Sequence, residues 1–173
     1  MVSHDAEHAA VALRDGRSVT LAPLSAEDAA DVARLLGSVA DPRATFFARA
    51  VAERGHDGAR GAIVARTSAG ELAGYAAWIA EPGVPCGEFA GVVDPAFAEL
   101  GLGTLLLRRA GRGALDAGLS TLRVELHPRS AALAAMLRDC GLQTHWDLDY
   151  PVVHVNLLLG TRRPGWSTPV PAT

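Results

Sequence analysis

The chain has 173 residues, a formal net charge of −3 and a hydrophobic fraction of 49%. That length suits one domain with a buried core, and the charge excludes bulk attraction to nucleic acid. No apolar run reaches the ~20 residues that would span a bilayer, so neither a membrane nor a nucleic-acid partner is expected.

Residues 1–16 are polar and alanine-rich and read as a loose arm or short helix. "SVTLAPL" alternates as a strand does. "SAEDAADVARLL" opens with Ser25 as an N-cap, carries acids in its first turn, and spaces Val32, Leu35 and Leu36 as a helix does. "PRATFFARAVAER" predicts a second helix around residues 44–54. "AIVART" and "ELAGYAAWIA" are strands joined by the hairpin signal "SAG". "CGEFAGVV" is another strand, followed by a helix from about Gly103 to Gly118. "TLRVELH" is a strand, and "SAALAAMLRDCG" a helix capped by Ser130 and ended by Gly141. "THWDLDY" and "VVHVNLLL" close the sequence of strands. From 161 to 173 the composition predicts a disordered tail.

The order implies an α/β fold: a mixed central sheet of about seven strands flanked by about four helices, in one domain over residues 17–160. Cys86 and Cys140 form no CxxC pair and no disulfide framework, so a reduced, cytoplasmic protein is expected. Asp5, Glu7 and two histidines near the N-terminus do not read as a secretory signal. All sixteen basic residues are arginine, so the chain offers no lysine side chain for modification. His4 and His8 are spaced i, i+4 but fall in the arm, and no metal is expected. Trp78 and Trp146 read as core or cleft-wall residues, and Cys140 as a buried structural thiol.

The chemistry concentrates in "VVDPAFAELGLGTLLLRRA". A strand ends at Val93, a loop follows, and Gly101-Leu102-Gly103 opens a helix. Unpaired N–H groups and a partial positive charge make a helix start receptive to anions, and the glycines let backbone approach a pyrophosphate. The same pattern also serves as a plain strand-to-helix bend. In "CGEFAGVV" Glu88 is the only charge. A carboxylate among apolar residues can take a proton in general-base catalysis, or it can simply face solvent on an alternating strand.

These residues, with "HPRSAALAAMLRDCGL" about twenty positions on, resemble the acetyl-CoA-binding core of GNAT-superfamily N-acetyltransferases. That core joins a strand, a Q/R-x-x-G-x-G/A loop, a helix, a strand and a second helix. Here the loop is Ala98-Glu99-Leu100-Gly101-Leu102-Gly103, and the second helix has Ser130 for the family Asn and Leu137 for the family Tyr. The resemblance extends from Arg17 to Gly160 in element order and is specific between Glu88 and Leu142. "GEFAGVVDPAF", "VELHPRSAAL" and the opening "VTLAPLSAEDAADVARLLGSVADPRATFF" are similar to the bacterial Pat-type protein-lysine acetyltransferases. In that group a strand Glu in register with Glu88 is the proposed base.

The resemblance implies transfer of an acetyl group from acetyl-CoA to a primary amine, most specifically protein lysine, with Glu88 as catalytic base. It implies contacts from Val92, Val93, Ala98, Glu99, Leu100, Gly101, Leu102, Gly103, Thr104 and Ser130 to acetyl-CoA, and a monomer or homodimer. Two other classes stay open: an enzyme for a small-molecule amine, and a degenerate domain that binds acyl-CoA or a protein. The departures matter. Gln or Arg is expected at Ala98, Gly or a basic residue at Glu99, and Arg at Leu100. The loop therefore lacks a side-chain cation, for which Arg108 or Arg109 would have to compensate.

Overall fold

A computed structural model describes residues 9–38, 59–127, 131–149 and 152–160, and, between the first two stretches, residues 45, 47–50 and 52. The strands are β1 (Ala9–Ala12), β2 (Ser18–Pro23), β3 (Arg60–Thr67), β4 (Leu72–Ala80), β5 (Cys86–Val93), β6 (Thr121–Leu126), β7 (Gln143–Asp149) and β8 (Val152–Leu158). The helices are α1 (Ala29–Gly37), α2 (Leu102–Asp116) and α3 (Ala131–Asp139), and residues 47–50 are also helical, inside the second helix expected from the sequence. Ser130, His4, His8, the tail from 161 and most of the segment 39–58 lie outside the described residues.

The strands form a single mixed sheet of order β1-β2-β3-β4-β5-β6-β8-β7. The strand beyond the expected seven is β1. Ala9–Ala12 pairs antiparallel with β2 from Ala9↔Leu21 to Ala12↔Ser18, so this part of the expected arm belongs to the sheet. Four residues are too few for alternation to be read in sequence, and the pairing that orders them is tertiary.

Each face of the sheet has its own core. On one face Trp78 and Phe89 pack with Leu106, Leu107, Leu122 and Leu137. Helix α2 reaches it because Leu102, Leu106, Leu107, Ala110 and Ala114 recur on one side of the helix and are all buried. Trp78 lies flat on Gly61, where an added Cβ would sit 2.6 Å from the indole Nε1. It is therefore a core residue, as expected. On the other face Val32, Leu35 and Leu36 of α1 meet Val64, Tyr75 and Val92. Among the described residues no helix is long and apolar enough to cross a membrane.

Helix α1 is tied to the sheet by a buried carboxylate. A short turn, Ala26–Asp28, follows Ser25. The Ser25 N–H and hydroxyl donate to Asp28 Oδ2 at 2.7 and 2.8 Å, and Arg66 Nε of β3 donates to Asp28 Oδ1 at 3.1 Å. Burial alone would raise the Asp28 carboxyl. The Ser25 backbone N–H, the Arg66 guanidinium and the Ser25 hydroxyl outweigh it and hold the group below its ordinary value. A depressed carboxyl contributes stability above its unfolded value near 4, and loses it as pH falls through the lower folded value. Asp28→Asn should therefore cost about 1.5–3 kcal/mol at pH 7. In urea unfolding the gap between mutant and wild type should start to narrow as the pH falls below the ordinary carboxyl value near 4 and go on narrowing at lower pH; a gap independent of pH would contradict the assignment.

Candidate active site

Strand β5 carries the expected base and leads into the loop. It pairs antiparallel with β4 from Gly74↔Val93 to Ala80↔Gly87. With β6 it pairs parallel only at Cys86↔Thr121, Gly87↔Leu122 and Glu88↔Arg123. Beyond that point the two strands separate, while β6 continues against β8 as far as Leu126↔Val153. The sheet is thus splayed from Phe89 and Val124 onward.

The direction of the β5 backbone follows from two bonds. Asp94 N–H donates to Ala73 O at 2.9 Å, and Glu81 N–H donates to Cys86 O at 2.8 Å. Backbone polar groups alternate sides along a strand, so those of Cys86, Glu88, Ala90 and Val92 face β4. Those of Gly91 and Val93 face the splay. Val93 therefore presents its backbone to the splay. Val92 does not present its backbone there, and its side chain is buried under α1. The signal that separates the two neighbours is parity, which depends on a hydrogen bond invisible in the sequence.

Glu88 is exposed. Side chains alternate along β5, so Glu88 shares the α1 face with Val92. The apolar enclosure expected around it is not formed by the described residues. Its parallel neighbour Arg123 is engaged elsewhere, with Nη1 2.8 Å from Glu81 Oε1. Cys86, two positions earlier on the same face, is half-buried. Burial, then the Glu81 charge, push its thiol above the ordinary value, so it is not a thiolate that could carry an acyl group.

The loop has left-handed residues, as backbone nests do. Asp94 caps a short turn by accepting from the Ala96 N–H at 2.8 Å. Glu99 then adopts φ 61° and Gly101 φ 88°, both left-handed. A non-Gly residue held in that conformation, as Glu99 is, is strained. The first helical bond of α2 runs from Leu105 N–H to Gly101 O, which leaves the N–H groups of Leu102, Gly103 and Thr104 as open donors. Gly103 is needed for packing: a Cβ there would fall 2.8 Å from Met136 Sδ of α3. Ala98 is exposed, and Glu99 extends an exposed carboxylate for which no partner lies among the described residues.

Three other expectations resolve here. Arg108 is engaged with the end of α3: its Nε donates to Cys140 O at 3.2 Å, tying α2 to α3. Cys140 is buried, as expected, with Sγ 3.0 Å from Leu137 O. Leu137 is fully buried in the core, so no side chain at that position can donate a proton. Tyr75 does not stand in for it. It is buried with its hydroxyl donating to Ala48 O at 3.1 Å, and burial raises that hydroxyl well above its ordinary value.

This geometry agrees with what known proteins resemble. In structure the chain is similar to the GNAT domain of S. lividans PAT, with TM-score 0.72 and 22% identity over 88% of this chain and 97% of that one. It is similar to a cAMP-binding acyltransferase from Mycobacterium smegmatis, with TM-score 0.66 and 18% identity over 89% of this chain and 48% of that one; the chain thus spans about half the length of that protein. It is also similar to yncA from Salmonella typhimurium, solved with its cofactor acetyl-CoA, with TM-score 0.64 and 18% identity over 84% and 98%. Among curated proteins none matches. At these identities the structures show the fold alone. The sequence itself matches the model of the acetyltransferase (GNAT) domain over residues 10–138. That match takes in the splayed strand, the nest and both helices that flank it, and the chain belongs to the GNAT acetyltransferase family.

Proposed function

We propose that this GNAT acetyltransferase moves the acetyl group of acetyl-CoA to the ε-amine of a protein lysine in the cytoplasm, with Glu88 as general base. The observation that carries the reading is the place of Glu88. It is an exposed carboxylate on the last residue of β5 that still pairs with β6, at the mouth of the splay and thirteen positions before Gly101.

The residues suit acetyl-CoA as a substrate. The nest from Glu99 to Thr104 offers backbone donors for the pyrophosphate. Gly91 and Val93 offer an open strand edge to which the pantetheine amides can add. A lysine amine, with an ordinary pKa near 10.4, is protonated at neutral pH. Glu88 accepts that proton, directly or through one water, as the nitrogen attacks the thioester carbon. The C–N bond forms, the Val93 N–H steadies the oxyanion, and the C–S bond breaks. The second proton shed by the nitrogen as the amide forms passes through solvent to the CoA thiolate, since Leu137 provides no acid.

One observation favours a second reading, a domain that binds acyl-CoA without turnover: the Glu99 carboxylate beside a site for an anion. The two are separated by incubating the chain with acetyl-CoA and a lysine peptide library, with polyamines and aminoglycosides as parallel acceptors. Acetyl-lysine should appear on peptides, and because the chain has no lysine no self-acetylation on lysine obscures it. Acetylation of the small amines alone would contradict the lysine reading, and binding with no product would favour the second.

A further inference from the structure

We propose that the β1–β2 turn supplies, from behind, the cation that the phosphate loop lacks, and that Arg14 is the positioning residue through which it acts. The inference rests on the loop's holding acyl-CoA.

Arg14 is 85 residues from the loop in sequence, yet its Nη1 donates to Glu99 O at 3.2 Å. Its own backbone N–H donates to Leu100 O at 3.2 Å. Its Nε lies 3.7 Å from where a Cβ on Gly101 would stand. Nearby, Arg17 Nη2 donates to Ala96 O at 2.8 Å and its guanidinium lies 4.3 Å from the Phe97 ring centroid. Asp15 holds Arg17 in that position through Oδ2 at 2.6 Å. Carbonyls of three loop residues, Ala96, Glu99 and Leu100, are therefore all drawn toward one hairpin turn.

The consequence follows from the peptide plane. A trans peptide points its C=O and the next residue's N–H in opposite directions. With the Glu99 and Leu100 oxygens turned to Arg14, the N–H groups of Leu100 and Gly101 face away from it, on the side where a phosphate would be met. No partner for either N–H is present among the described residues. The guanidinium also covers the negative end of the Glu99 carbonyl dipole, and the Arg14 backbone N–H that of Leu100, both of which would otherwise repel a phosphate. In most loops of this pattern a cationic side chain is in the loop itself. Here the loop has Ala98, Glu99 and Leu100, and the positive charge comes from a turn that folds against its back.

The test compares Arg14→Met, which keeps length without charge, with Arg14→Lys, which keeps charge and a donor. Acetyl-CoA affinity is read by calorimetry at low and high salt, with melting temperature and steady-state kinetics alongside. Arg14→Met should weaken acetyl-CoA binding and raise its KM about tenfold, with kcat within about twofold and a smaller loss at high salt. Arg14→Lys should restore affinity to within about threefold of wild type. Arg14→Met binding as wild type does, or Arg14→Lys as weak as Arg14→Met, would overturn the proposal. A wild-type protein that binds no acetyl-CoA would overturn the reading of the loop, and this inference with it.

Discussion

Glu88→Gln should lower turnover at pH 7 about 100-fold while leaving acetyl-CoA affinity within about twofold. General bases contribute 10²–10⁴-fold, and the lower end is expected because Glu88 is exposed. An exposed site lets bulk water take some of the proton. Affinity should hold because Glu88 directs its backbone to β4 and its side chain to the α1 face, so it does not line the edge offered by Gly91 and Val93. The deficit should shrink as pH rises toward the amine's own value near 10.4, where less proton abstraction is needed. Steady-state rates from pH 7 to 9.5 check both statements. An unchanged rate at pH 7 would make Glu88 a solvent-facing strand residue.

Ala98→Gln combined with Glu99→Gly should tighten acetyl-CoA binding about tenfold. Two effects act together. Glu99 holds φ 61°, a conformation that costs a non-Gly residue roughly 1–2 kcal/mol, and Gly removes that strain from the nest. Removing a repelling charge ~5–8 Å from an anion is worth roughly 1–3 kcal/mol at an effective dielectric near 20, less where salt screens it. Gln adds amide donors at Ala98. The gain should be larger at low ionic strength. A double mutant within about twofold of wild type would show that the nest and Arg14 already satisfy the pyrophosphate.

Much of the site was legible in sequence because it depends on local spacing. "CGEFAGVV" becomes β5 with its ends at Cys86 and Val93 as read, since alternation and the turn that follows are both local signals. The Gly101 turn came from motif order. What was missed is long-range. The four residues of β1 have no pattern of their own. Arg14 and Arg17 reach the loop across 85 and 79 residues, and Arg14 falls within the segment expected to be a loose arm. Arg108, placed near the loop by helical periodicity, is drawn to Cys140 by packing between α2 and α3. The exposure of Glu88 was one of two readings that composition allowed, because an apolar strand does not reveal which of its faces is covered.

The central claim is that the nest at Glu99–Thr104 and the open edge of β5 form an acyl-CoA site. Titration of acetyl-CoA into ¹⁵N-labelled protein tests it directly. A single saturable site is predicted, with the largest amide shifts at Leu100, Gly101, Gly103, Thr104, Gly91 and Val93, and little change at Val92 or Ala90, whose amides are bonded to β4. Desulfo or dephospho analogues should retain the shifts at Gly91 and Val93, and pyrophosphate alone those of the nest. Shifts confined to other parts of the sheet, or none at millimolar acetyl-CoA, would contradict the account.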